Sequence, residues 1–314
     1  MGTFLIGRVL GGLATLFCVS ALAFFATALA PGNPAAVLLG NMATPERVEA
    51  VTRQMGLDQP MPVRYLVWLK ETIHGNLGTS NLSFKPVNDL LLTALPPTLE
   101  LAFASLIIAV LVALPLGLIL AQNENRWWSR PTSALVTVGI SVPGFWVGLL
   151  LIITFSVWLQ LLPSAGYVPM SRSFSGNVRS MVLPVTTLVI YLVPPLVRFV
   201  RVSALEILRE AYIDTARAKG VGPLAILLRH VAPNTLITTI TYIGLQLGVL
   251  ISGAIVIEVI FSIPGIGRLG MNAVLNRDYP VIQGVVLVAA CGYVLVNLLI
   301  DVTYVFIDPR VRTK

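Results

Sequence analysis

Six stretches of this chain, each 18 to 41 residues long, contain no Asp, Glu, Lys or Arg, and no other feature limits its fold so tightly. They are Val9–Leu29, Leu101–Ala121, Pro131–Ser171, Ser180–Val197, Thr235–Ile257 and Val281–Ile300. A bilayer core takes about 20 consecutive apolar residues when they are helical. Helices also satisfy every backbone amide internally, as hydrocarbon demands. The twelve Leu, Ile and Val residues of Thr235–Ile257 are worth roughly −4 to −7 kcal/mol of insertion propensity, which outweighs its Thr residues and Gln246. Composition points the same way. Hydrophobic residues make up 56% of the chain and charged residues 11%, against about 25% charged in soluble proteins. The expected fold class is an all-α, multi-pass membrane protein with six transmembrane helices.

Two stretches are ambiguous. The first ends in Ala28-Leu29-Ala30 behind Arg8, which resembles a signal-peptide cleavage site. Its 21-residue apolar run exceeds the roughly 7–15 of a signal h-region, so it reads as a retained span. Pro131–Ser171 is interrupted at Pro143-Gly144 and is long enough to cross twice. Basic residues decide between six and seven crossings, because Lys and Arg collect on the cytoplasmic side. With six spans and both termini inside, the inner segments hold twelve basic residues and the two short outer loops four. A seventh span would put the six basic residues of 198–234 outside. Most of the net charge of +7 is therefore an orientation signal, and no basic stripe suggests nucleic acid.

Several chemistries are excluded. Cys18 and Cys291 both lie in apolar runs, and His74 and His230 are isolated, so neither a disulfide framework nor a metal site is expected. None of Lys70, Lys85, Lys219 and Lys314 precedes Ser or Thr, so there is no phosphate-binding P-loop. No paired-carboxylate, Ser–His–Asp or His-Glu-x-x-His pattern supports hydrolysis.

Two segments outside the spans carry information, and the chain divides into a first helix (1–30), an outer segment (31–97) and a five-helix core (98–314). Pro31-Gly32-Asn33-Pro34 is a turn leaving the membrane. Thr44-Pro45-Glu46 predicts a helix start, running to about Met55 with Gly56 as its stop. Met61–Ile73 predicts a second amphipathic helix with Tyr65, Leu66, Leu69 and Ile73 on one face. This segment is expected on the outer surface, shaping an entrance, or as a plain connection. On the other side, 198–234 reads as a helix ending at Gly220, a Val221-Gly222-Pro223 turn, a second helix from Leu224 to Val231, and Pro233 before the next span. It offers a compact face of Asp214, Thr215, Arg217 and Lys219 as a docking knob.

Asp214-Thr215-Ala216-x-x-x-Gly220 with Pro233 thirteen residues on resembles the EAA loop of ABC-importer permeases, E-A-A-x-x-x-G-x₉-I-x-L-P. Asp and Thr stand in place of the first Glu and Ala, and His230 and Ala232 in place of Ile and Leu. The dipeptide/oligopeptide/nickel branch is resembled along nearly the whole chain: at Ala30–Ala35, Gly56–Pro60, Gly75–Ser80, Phe261–Gly267, Asn276–Pro280 and Asp308–Arg312. The resemblance implies a permease subunit of a type I ABC importer in the bacterial inner membrane. It implies as partners a second permease, two cytoplasmic ATPase subunits, an extracytoplasmic binding protein and membrane lipid. ATP and Mg would be held by the ATPases and no cofactor by this chain. It further implies that Asp214, Thr215, Ala216, Arg217, Lys219, Gly220 and Pro233 couple ATPase movement to the spans. The cargo would be di- or oligopeptides, with glutathione-like peptides, nickel or another chelated metal left open.

Polar residues inside spans usually face protein interior, so Gln246, Gln283 and Asn297 are candidates for the translocation path, or for hydrogen bonds to the second permease. Glu258 and Asp301 read as anchors at span ends. Gly144/Gly148 and Gly244/Gly248 suggest close helix approach. An ion-coupled carrier is the rival class, but it calls for buried carboxylates or inverted repeats, neither of which is evident in the sequence.

Overall fold

The computed structural model describes residues 2–29, 39, 43–54, 56 and 58–307. The Pro31–Pro34 turn, Met55, Leu57 and the Asp308–Arg312 tail lie outside the described residues. Among the described residues the regular elements are all helices, joined by turns and loops, with one isolated bridge between Thr79 and Pro86.

Helix α1 (Gly2–Ala28) is followed by the short helices α2 (Pro45–Gln54) and α3 (Met61–Ile73). Helix α4 (Val87–Gln122) runs 36 residues, then α5 (Ser129–Ser141) and α6 (Gly144–Leu151) follow, the last widening into a π-turn over Ile152–Trp158. Helix α7 (Phe174–Leu208) leads to α8 (Ala211–Ala218), then α9 (Pro223–Ile226) with a π-turn at Leu227–Val231. Helices α10 (Ala232–Ile260), α11 (Ile266–Leu275) and α12 (Tyr279–Ile307) complete the chain.

Four helices, α1, α4, α7 and α12, are each long and apolar enough to cross a membrane among the described residues. The α5–α6 pair, bent by 97°, supplies a fifth if it is one span. The bend falls at Val142-Pro143, where the ring removes a ladder hydrogen bond. Helix α10 is 29 residues long, about 43 Å at 1.5 Å per residue.

Two helices outrun the uncharged stretches that marked them by more than ten residues. Helix α4 begins at Val87 rather than Leu101, because Glu100 is tolerated: its carboxylate accepts the Tyr167 hydroxyl at 2.7 Å. Helix α7 extends past Arg179, whose guanidinium reaches the Leu161 carbonyl, and past Arg198 and Arg201.

The main core lies between α4 and α7, where Leu101, Ala109 and Leu120 meet Leu188, Leu192 and Leu196. Contact there is close enough that a Cβ on Gly117 would sit 2.6 Å from Val200. Helix α10 joins this core through Leu250, Ala254, Ile257 and Phe261. Its buried Thr235 and Thr239 satisfy their hydroxyls on the carbonyls of Val231 and Thr235, so they carry no unpaired polar group into the apolar interior. Gly244 and Gly248 give close approach to α12, meeting Ile300 and Tyr293. Helix α1 packs along α12, tied at one end by Arg8–Asp301 (3.3 Å) and at the other by Gln283 Nε2 donating to Thr27 Oγ1 (2.6 Å).

Helix α3 differs from its expected single face. Tyr65 turns inward, bonded to Ser20 at 2.9 Å and set among Phe24, Phe25 and Trp68, whereas Leu66 and Ile73 point outward. The helix is apolar on two sides, one for α1 and one left exposed.

Candidate functional site

Residues 211–231 form a helix, a turn and a second helical segment, as expected, but that segment is a short α-turn at Pro223–Ile226 that passes through a π-turn into the next helix. The knob's shape follows from local chemistry. Helix α8 ends in a paired hydrogen-bond cap: Val221 N–H donates to the Ala216 carbonyl at 3.1 Å and Gly220 N–H to the Arg217 carbonyl at 2.9 Å. That geometry needs a left-handed residue at the stop, and Gly220 supplies φ of +79°. Val221 completes the cap by packing on the cluster that contains Ala216. Pro223 then starts α9, where a missing N–H costs nothing. Pro233 occupies the first turn of α10, and the π-turn lies just before it, where the ring displaces the normal ladder.

One face of α8 is anchored and the other is bare. Ile213 is fully buried and Ala216 nearly so, packed with Leu118 and Ala121 of α4, Val200 and Ala204 of α7, and Ile226 and Val231 beyond the turn. Burying an Ile side chain contributes roughly 1.5–3 kcal/mol. Asp214, Thr215, Arg217 and Lys219 are all exposed. Asp214 and Arg217 pair along the helix at 2.9 Å, and the Thr215 hydroxyl donates to the Ala211 carbonyl. Below the knob its two legs are braced, since Ser203 of α7 and Thr238 of α10 share a 2.7 Å hydrogen bond. His230 lies against Tyr212, and its carbonyl and the Tyr212 hydroxyl both accept from Asn234. The buried side of α8 is thus packed against α4, α7 and the start of α10.

The three polar span residues are spread over different contacts. Gln246 is buried in α10. Gln283 stitches α12 to α1 through Thr27. Asn297 lines a cavity of about 630 Å³ with Thr15, Thr241 and the Arg8–Asp301 pair, which takes in neither of the others.

The opposite end of the bundle carries a clasp that sequence reading did not single out. Glu258 is fully buried. Its carboxylate accepts from Thr98 Oγ1 (2.6 Å) and from the N–H groups of Arg268 (3.0 Å) and Gly267, at the start of α11. Thr98 in turn accepts from Ile266 N–H at 2.8 Å. A carboxylate at the first turn of a helix is well placed against its dipole. The close approach also explains two glycines: a Cβ on Gly265 would lie 2.3 Å from the Glu258 carboxyl, and one on Gly267 would lie 2.6 Å from the Ile255 backbone. Asp278 is likewise buried and accepts from Ser80 Oγ and Asn81 N–H, joining the Gly75–Ser80 and Asn276–Pro280 stretches. In the loop before α7, burial and the hydrogen bond to Glu100 push the Tyr167 phenol up to about 12.

A Glu followed seven and nine residues on by Gly265 and Gly267 was the available signal for the first tie. The second joins residues 198 apart and has no local signature.

Comparison with known proteins follows this geometry closely. The profile described as binding-protein-dependent transport system inner membrane component matches residues 113–313, and its N-terminal companion matches residues 1–102. A putative peptide transport system permease protein of Brucella abortus (strain 2308) is 38% identical over 312 residues, covering 99% of both chains. The glutathione transport system permease protein of Escherichia coli (strain K12) is 38% identical over 314 residues, the whole of each chain. A chain of the inward-facing methionine ABC transporter MetNI superposes with a TM-score of 0.59 at 19% identity, covering 70% of this chain and 96% of that one.

Proposed function

Because this chain belongs to the family of binding-protein-dependent transport system inner membrane components, we propose that it forms half of an ATP-driven import pathway for small peptides. It is an inner-membrane permease, and ATP hydrolysis belongs to partner subunits. Six spans with both termini cytoplasmic fit the four long apolar helices, the bent α5–α6 pair and α10. In that orientation α8 faces the cytoplasm, while α2, α3 and α11 lie outside. A second permease would complete the pathway, two ATPases would bind ATP and Mg, and a binding protein would deliver cargo at the α11 end. Lipid would cover the exposed apolar sides of α1 and α3.

The observation that carries this reading is the knob itself. Asp214, Thr215, Arg217 and Lys219 stand exposed on a helix whose back, Ile213 and Ala216, is locked into two spanning helices. Closure of the ATPases would press on that face, and the Gly220–Pro223 turn would pass the movement to α7 and α10. The absence of basic or acidic clusters along the spans suits a permissive path, with selection made by the binding protein. Of the polar span residues, Gln246 and Asn297 remain candidates to line it, whereas Gln283 serves helix packing through Thr27.

The test is uptake by proteoliposomes holding the whole complex and its binding protein. Labelled di- and tripeptides, glutathione and nickel would be offered with and without enclosed ATP. ATP-dependent peptide uptake is expected. Nickel uptake alone would move the cargo to a chelated metal, and uptake indifferent to ATP would refute the importer reading.

A further inference from the structure

We propose that the cavity between the knob and the α4–α5 loop is a second docking point on this chain, built to take an acidic segment of the ATPase subunit. The proposal rests on the reading that α8 meets an ATPase. The cavity has a volume of about 940 Å³, at the upper end of the roughly 300–1,000 Å³ of ligand-sized sites. Its walls are the α4–α5 loop, the end of α7 and the knob's turn, so whatever fills it stands beside the partner that holds α8.

Its charge points to one kind of occupant. Arg126 from the loop, Arg209 from the end of α7 and Arg217 from α8 all converge on it. Arg217 is already held by Asp214. Glu124 also lines the cavity, but it is paired with Arg201 outside it at 3.7 Å, which leaves the arginines in excess on the wall. Arg126 and Arg209 have neither an ion pair nor a side-chain hydrogen bond among the described residues. Orientation of the chain requires basic residues somewhere on this side, but does not require them to meet in one hollow. Like charges brought together without a counter-ion repel, and a partner's carboxylates relieve that repulsion.

The floor of the cavity is apolar, made by Ala121, Leu205 and Ile226. Carboxylates flanking an apolar side chain would satisfy both rim and floor, a combination that a protein segment presents. The loop that carries Arg126 is ordered: Arg126 N–H bonds to the Asn123 carbonyl and Ser129 N–H to the Arg126 carbonyl, each at 3.0 Å. Arg126 therefore stands on a fixed turn at the end of α4. Two contact points on one partner would move α4 and α7 together, where the knob alone would load its own two legs first.

Photo-crosslinking in the assembled importer tests this. In a Cys18→Ala, Cys291→Ala chain, Arg126→Cys and Lys219→Cys would each carry a thiol-linked benzophenone and be illuminated in native membranes. Both are expected to yield a covalent adduct with the ATPase subunit, and the Arg126→Cys adduct is expected to map to an acidic stretch. An ATPase adduct from Lys219→Cys but not from Arg126→Cys overturns the second dock and leaves the coupling reading standing. No ATPase adduct from either overturns both. A phospholipid adduct alone from Arg126→Cys replaces the protein occupant with an anionic headgroup. In parallel, Arg126→Glu with Arg209→Glu is expected to weaken ATPase retention on washed membranes about tenfold, and unchanged retention across a salt series overturns the proposal.

Discussion

Replacing Gly220 separates the backbone role of the knob's turn from its surface. With φ at +79° and nothing within 4 Å of a Cβ built there, alanine fits sterically and meets only the left-handed penalty, about 1–2 kcal/mol. Proline is different in kind. Its ring holds φ near −65°, roughly 140° from the observed value. It also removes the N–H that bonds the Arg217 carbonyl at 2.9 Å and disturbs the companion bond from Val221 to Ala216. That loss is worth about 3 kcal/mol or more, enough to abolish the capped turn. The assay is ATP hydrolysis by the reconstituted complex, with and without loaded binding protein. Gly220→Ala is expected to lower stimulation severalfold, Gly220→Asn less, because Asn tolerates the left-handed region. Gly220→Pro should abolish stimulation while the chain still reaches the membrane. Normal stimulation in the proline variant would refute the turn as transmitter. Equal damage from Ala and Pro would refute the conformational argument and indicate a steric contact instead.

Glu258→Ala would leave Thr98 and the first N–H groups of α11 without their acceptor, a loss of about 2–5 kcal/mol. The complex is expected to melt at lower temperature, with the α10–α11 turn becoming protease-sensitive. Gly267→Ala sets a methyl 2.6 Å from the Ile255 backbone and should cost at least 1–3 kcal/mol by overpacking, measurable in the same melt. Tyr167 is expected to stay un-ionised past the point where ordinary phenols titrate. An ultraviolet pH difference between the native chain and Tyr167→Phe should show its signal only near pH 12. Because its folded value is raised above 10, the stabilisation is fully present below pH 10 and is lost as pH climbs from there to 12.

The sequence made the spans legible because lipid forbids charge over about 20 residues, but it could not set their lengths. Glu100 and Arg179 read as boundaries, yet each finds a partner, Tyr167 or the Leu161 carbonyl, that lets its helix run on. The knob was legible down to its stop, since a left-handed Gly and a first-turn Pro announce themselves locally. Helix α3 was read at its observed bounds, but Tyr65 parts company with Leu66 and Ile73, because it takes its direction from Ser20 and Phe24 on another helix. Glu258 looked like an interfacial anchor because burial is not visible in sequence, and its donors come from α4 and from beyond a turn. Asp278 and Ser80 are 198 residues apart, so only the fold could introduce them.

The pairing of α1 with α12 has a consequence for how the protein is made. The first helix to enter the membrane finds its packing partner only when the last one emerges, roughly 250 residues later. At about 5–20 residues per second of synthesis that is an interval of about 10–50 s. Throughout it, Arg8 waits at the membrane without Asp301, and Thr27 without Gln283. The newborn chain spends that time with its front door hung and no frame, an interval in which membrane chaperones or a premature neighbour would find α1 open.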